Sequence, residues 1–202
     1  MKAKRVKKLD PRAPLAANAA RIVRVRLGEL RSFAPAALQE DAAHEQHDMR
    51  IAAKRLRYVL EATETSFGRH GSHARRGARS LQGVLGDIHD CDEMLPRVES
   101  HLAEMRALDA DAVLAEAGQA DDLDPRLAAR APHRTSYRGL EVLAVYLQAR
   151  RRLLFGRFAE LWEGIERDGV WDRLELAATR VIREEEEAAP AAPGPEGART
   201  LP

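Results

Sequence analysis

Cysteine is almost missing from this chain: Cys91 is the only one in 202 residues. One thiol excludes an intramolecular disulfide and a cysteine metal cluster, and it fits a reducing compartment. Aromatic residues are scarce as well, at 4 %. With ordinary hydrophobic content, and with glycine and proline mostly outside the periodic segments, this favours helices over β-structure. No uninterrupted apolar run approaches the length of a membrane span. The basic N-terminus has no apolar h-region, so no secretory signal is expected. What remains is a soluble, cytoplasmic, helical protein of one domain with tails.

A net charge of +1 hides a division. Residues 1–81 carry 18 Lys and Arg against 8 Asp and Glu, and residues 82–202 carry 15 against 24. The first part is therefore +10 and the second −9, so a basic surface coexists with near neutrality. Lysine is rare: 28 of the 33 basic residues are arginine. The planar guanidinium fork suits phosphate and carboxylate. An Arg- and Ala-rich coding bias accounts for much of the excess.

The periodicity predicts an all-α fold, an antiparallel four-helix bundle of long helices plus a short C-terminal helix. Residues 1–13 read as a basic, solvated tail, 14–187 as the helical domain, and 188–202 as a disordered tail rich in Pro, Ala and Gly. A first helix is expected over 14–33, with Arg26 inside its apolar stripe and Pro35 ending the pattern. A second covers 42–67, closed by Gly68 and Gly71. A third covers 72–106, followed by a short helix near 110–117 and an acidic connection through Asp124. A fourth spans 137–167 and a last one 170–187, ending in the acidic run Glu184–Glu187, the usual mark of a solvated surface.

The most informative stretch is His47-Asp-Met-Arg-Ile-Ala-Ala-Lys-Arg-Leu-Arg-Tyr58. At 100° per residue, Met49, Ala52, Ala53, Leu56 and Leu60 fall on one side and His47, Arg50, Lys54, Arg57 and Tyr58 on the other. Such a stack of cations is self-repelling unless something anionic bridges it. The third helix has a similar row: Arg75, Arg79, Gln82 and His89, with Gly86 among them. A mid-helix glycine costs about 1 kcal/mol against alanine, which close approach of a neighbour would explain. A short glycine-containing turn joins the two helices, so their rows can face one groove. Two independent solvated faces is the plainer reading, and spacing alone leaves both open.

That first motif, with Leu81-Gln-Gly-Val-Leu-Gly-Asp-Ile-His-Asp90, resembles the CHAD family, the conserved histidine α-helical domain. The resemblance follows helix order over about residues 14–167, and its specificity lies in 47–61 and 81–95. It implies a binding module without catalytic residues, cofactor or metal, whose basic helices bind inorganic polyphosphate, and it adds polyphosphate granules as a location. By motif position the implied ligand residues are His47, Arg50, Lys54, Arg55, Arg57 and His89. Helix geometry adds Arg75, Arg76 and Arg79. Family domains usually hold two such units related by a pseudo-twofold axis. Only one is clear here, so the second has decayed into 135–187 or two chains pair as a homodimer. Arg150, Arg151 and Arg157, on the fourth helix, would then complete the groove.

Two other classes compete. His44, His47-Asp48 and His89-Asp90 are similar to HD-type metal-dependent phosphohydrolases, whose imidazoles and carboxylates converge on a cation; Arg50 and Lys54 would crowd that cation. Nucleic-acid binding also uses basic helices, but Tyr58 is the only aromatic on the basic face and helix-turn-helix spacing is absent. Nucleic acid is the disfavoured partner, and no membrane partner is expected. Cys91 reads as a small core residue.

Overall fold

The structure, a computed structural model, describes residues 2–188. The disordered tail expected at 188–202 lies outside them except for Ala188. The elements are α1 (Leu15–Ala37), α2 (Ala43–Thr63), a 3-10 turn (Glu64–Phe67), α3 (Gly68–Ala117), α4 (Pro125–Ala128), α5 (Ser136–Arg167) and α6 (Val170–Ala188). Among the described residues every regular element is helical, as the periodicity predicts.

α3 is the spine. At 50 residues it runs about 75 Å and packs against α2, α5 and α6, while α1 packs on α2 and α6. Leu81, Leu85 and Ile88 of α3 are fully buried with Leu27 and Leu30 of α1, Met49, Leu56 and Leu60 of α2, Phe158 of α5, and Trp171 and Leu174 of α6. Each large side chain buried this way contributes about 1.5–3 kcal/mol.

Several boundaries move. α1 continues through Pro35 to Ala37; an exposed proline in the last turn forfeits one backbone bond without driving its ring into the core. Gly68, with φ +54°, marks the turn into α3, but Gly71 is buried inside the new helix. The separate helix near 110–117 is the end of α3 itself. Leu102, Met105 and Asp109 carry the buried stripe onward, no Gly or Pro interrupts residues 97–117, and Gly118 at φ +59° stops the helix.

The backbone of the basic N-terminal segment is tied to α1, while its Lys and Arg side chains stay exposed. The Lys4 N–H donates to the buried Glu29 carboxylate, which also takes Arg26. Asn18 exchanges hydrogen bonds with Asp10. Arg26 thus escapes the apolar stripe by pairing. Part of the acidic run is paired too, with Glu185 on Arg21 of α1.

The connection after α3 is pinned at Asp109. Its carboxylate accepts the His133 N–H at 3.0 Å, the His133 ring at 2.8 Å and the Tyr137 hydroxyl. Burial pushes the Asp109 carboxyl up, but these donors outweigh it and hold it below the usual carboxylate range; Tyr137 is pushed up to about 12. A depressed carboxylate contributes stability above its unfolded pKa, near 3.8, and loses it as pH falls through the lower folded value. Asp109→Ala is expected to speed amide exchange across residues 129–137 by roughly tenfold or more at neutral pH. Unchanged exchange would show that the staple does not hold this segment.

Candidate functional site

The two motifs meet along the seam between α2 and α3. On α2 the buried Met49, Ala52, Ala53 and Leu56 fix the helix roll, so His47, Arg50, Lys54 and Arg57 line the other side. At one end His47 Nδ1 lies 3.3 Å from His89 Nδ1, with ring centroids 4.5 Å apart. One helical turn on, Arg50 lies over Gly86: a Cβ there would be 4.0 Å from Arg50 Cδ. That is an ordinary contact, so the approach of Arg50 does not by itself require glycine at position 86. Both pairs are centred on position 68, the glycine of the turn. An antiparallel pair in that register sets Lys54 opposite Gln82 and Arg57 opposite Arg79.

The seam concentrates positive charge with little compensation. Among the described residues no carboxylate lies within ion-pair distance of Arg50, Lys54, Arg76 or Arg79, while Arg57 Nε is 3.7 Å from Glu61. Arg57 and Lys54 also approach the Tyr58 ring, at 4.6 and 5.8 Å from its centroid, a weakly favourable contact for cations. Arg50 Nε and Gln82 Oε1 are buried without a hydrogen-bond partner. Arg50 and Lys54, four apart, repel each other by a few tenths of a kcal/mol. His47 is held below the ordinary histidine pKa, first by burial, then by His89 and Arg50. The seam is an open row about 15 Å long from His47 to Arg57, a shape that suits a linear anion.

The other sequence-predicted residues divide. Arg75 is half-buried, and Arg76 and Arg79 are exposed on α3. Arg55 follows Lys54 and so lies 100° round α2, off the row. The α5 arginines do not complete the groove. Arg150 binds Asp87 at 3.1 Å and approaches Cys91 Sγ at 3.3 Å, on a side of α3 about 160° or more from His89. Arg151 donates to Asp92 at 2.7 Å, the Glu40 carbonyl at 2.8 Å and Gln46 Oε1 at 3.0 Å. Arg157 is exposed two turns beyond Arg150, on the helix that packs across α3 from the seam. Cys91 is buried, as its place on the helix predicts.

The imidazoles and carboxylates of the HD-like reading are dispersed. His44 is exposed and 3.8 Å from Asp48, His47 faces His89, and Asp90 is exposed. Among the described residues no group of three or more His, Cys, Asp or Glu is placed to hold a metal ion. No described helix is long and apolar enough to cross a membrane.

Sequence reasoning passed over Arg69, His70, His73 and Arg173, which line one cavity where α3 begins beside α6. The spacing Arg69-His70-x-x-His73 was a visible signal for three of them; Arg173 is brought in only by the packing of α6.

No curated protein and no solved structure matches the chain. A family model described as CHAD domain matches residues 2–99. The match takes in the N-terminal segment, the whole of α2 and the α3 motif, and it ends before α5, where Arg150 and Arg151 are engaged internally. Every residue of the His47–His89 seam lies inside it, and the chain carries a CHAD domain over residues 2–99.

Proposed function

We propose that this protein binds inorganic polyphosphate along the α2–α3 seam and acts as a binding module, not a catalyst. The observation that carries the reading is the row Arg50, Lys54 and Arg79. It is contributed by two antiparallel helices in register and lacks carboxylate partners among the described residues. Cations held this way release counterions when a polyanion replaces them, so affinity falls steeply with salt. Arginine forks and the lysine take successive phosphates, while His47 and His89 donate at one end. The shortage of aromatics argues against base stacking and hence against nucleic acid. Titration with long-chain polyphosphate at several salt concentrations, with duplex DNA as competitor, tests this. Tight binding with a steep salt slope and weak displacement by DNA is expected, and ready displacement by DNA would transfer the seam to nucleic acid.

Protonation follows from the same geometry. A bound polyanion opposes the influence of His89 and Arg50 on His47, so its pKa rises on binding and a proton is taken up. Affinity should then increase as pH falls from 8 toward 6, by at most about tenfold per unit for one proton. Without ligand the sign reverses. The unfolded chain, near 6.5, takes the proton more readily, so the fold weakens as pH drops through that value. His47→Ala should flatten the binding profile; equal, pH-independent affinity in both proteins would remove the histidines from the site.

Association with polyphosphate granules would follow from such affinity. We also assign a homodimer to the outer face of α5, where Val142, Val145, Tyr146 and Leu153 are each more than half exposed. The stripe is self-complementary. Antiparallel pairing of two copies about Ala149 sets Val142 against Gly156 and Arg138 against Glu160 of the other copy. Sedimentation should give a dimer for the wild type and a monomer for Val145→Glu; a monomeric wild type would overturn it.

A further inference from the structure

The corner where α3 begins beside α6 carries a second cationic cluster that the seam does not use. Arg69, His70 and His73 come from the first two turns of α3 and Arg173 from the first turn of α6, and together they line a cavity of about 270 Å³. His73 and Arg173 continue into an adjoining hollow of about 400 Å³ beside Gly77 and Asp168. His73 is about 24 Å along α3 from His89 and about 160° round it, so the two clusters occupy different faces.

The chemistry there is one-sided. Among the described residues, Arg69, His70 and His73 have no ion pair or hydrogen-bonded partner. Arg173 gives Nη2 to the backbone carbonyl of Asp168, not to a carboxylate. The N-cap of α3, Phe67, supplies no side-chain cap, so the positive end of a 50-residue helix opens on the same corner. Burial first, then Arg69, Arg173, His73 and Arg180, hold His70 below the ordinary histidine pKa, as expected where cations crowd without a counter-charge. Asp168 is the one acidic residue among those lining the adjoining hollow, and none lines the cavity itself. Two guanidinium forks and two imidazoles converging from two helices form a cradle for a compact oxyanion with several acceptor oxygens.

We infer that Arg69, His70, His73 and Arg173 form a second oxyanion site, for one or two phosphate groups, separate from the α2–α3 seam. It takes either free phosphate or a phosphate of a longer chain, and it does not depend on the seam's ligand.

The test follows the His70 and His73 imidazole resonances during titration with orthophosphate, pyrophosphate and long-chain polyphosphate. It uses the wild type, Arg69→Ala/Arg173→Ala, and Arg50→Glu/Lys54→Glu, whose seam is reversed. Arg69 and Arg173 are exposed, so their truncation leaves the core intact, and a thermal melt checks this. Saturable shifts in the wild type and the seam-reversed protein are expected, with about tenfold weaker binding in Arg69→Ala/Arg173→Ala. Shifts with orthophosphate or pyrophosphate identify free phosphate as a ligand; shifts with polyphosphate alone identify a chain phosphate. Three results overturn the site: no shift with any probe, undiminished binding in Arg69→Ala/Arg173→Ala, or shifts that vanish when the seam is reversed. A seam that fails to bind is seen separately, as equal polyphosphate affinity of the wild type and the seam-reversed protein at resonances from α2.

Discussion

Arg50→Glu combined with Lys54→Glu is expected to weaken polyphosphate binding by about a hundredfold or more, or abolish it, while the protein stays folded. The two side chains stand side by side on α2, partly exposed, and have no carboxylate partner among the described residues. Reversal replaces two attractive contacts by two repulsive ones in the middle of the row, and about 1.4 kcal/mol at each is enough for that factor. Arg50 Cδ only approaches Gly86, so the core beneath, Met49, Ala53 and Leu56, keeps its packing. Neutral Arg50→Gln/Lys54→Gln should fall between and show a shallower salt slope than the wild type. Wild-type affinity in a folded charge-reversed protein would move the site off the seam.

Arg151→Ala is expected to destabilise the fold rather than merely reduce binding. The guanidinium joins three parts of the molecule: Asp92 on α3, the Glu40 carbonyl in the α1–α2 connection, and Gln46 on α2. Gln46 is itself buried and donates to the carbonyls of Ala37, Gln39 and Glu40, which closes the end of α1. Both partners of the Arg151–Asp92 pair are less than a quarter exposed, so water compensates the loss only in part. Leaving Asp92 and Gln46 without their donor costs about 2–4 kcal/mol, a Tm drop of roughly 5–15 °C for a chain of this size. Arg151→Lys should recover little, because an ammonium cannot reach three acceptors in the fork's geometry. An unchanged Tm with lost polyphosphate binding would return Arg151 to the ligand.

The two arginine-rich stretches differ in how far sequence could carry them. On α2 the cations alternate with alanines and leucines at helical spacing, so their common face follows from 100° per residue alone. Gly68 and the short turn then make the neighbouring helix antiparallel, and the meeting of His47 with His89 follows. On α5, Arg150 and Arg151 look equally available in sequence. Their partners, Asp87 and Asp92, are about 60 residues away, and no local pattern announces that pairing. The N-terminal segment is a related case: its charged side chains are exposed, and it is one backbone bond from Lys4 to Glu29, whose burial depends on α1 packing, that ties the chain down.

The boundaries that moved share one cause. Proline and glycine are statistical stops, but whether Pro35 or Gly71 ends a helix depends on what the next turn packs against. α3 absorbed a segment read as separate because Leu102, Met105 and Asp109 found partners. By itself the sequence determined the all-helical class, the buried faces and the basic row on α2, because helical periodicity is a local property of the chain. Only the tertiary structure decided which arginines are left without carboxylates and which are locked into the fold, and brought Arg173 to His70 and His73. Charge compensation depends on distances between residues far apart in sequence, and packing alone sets those.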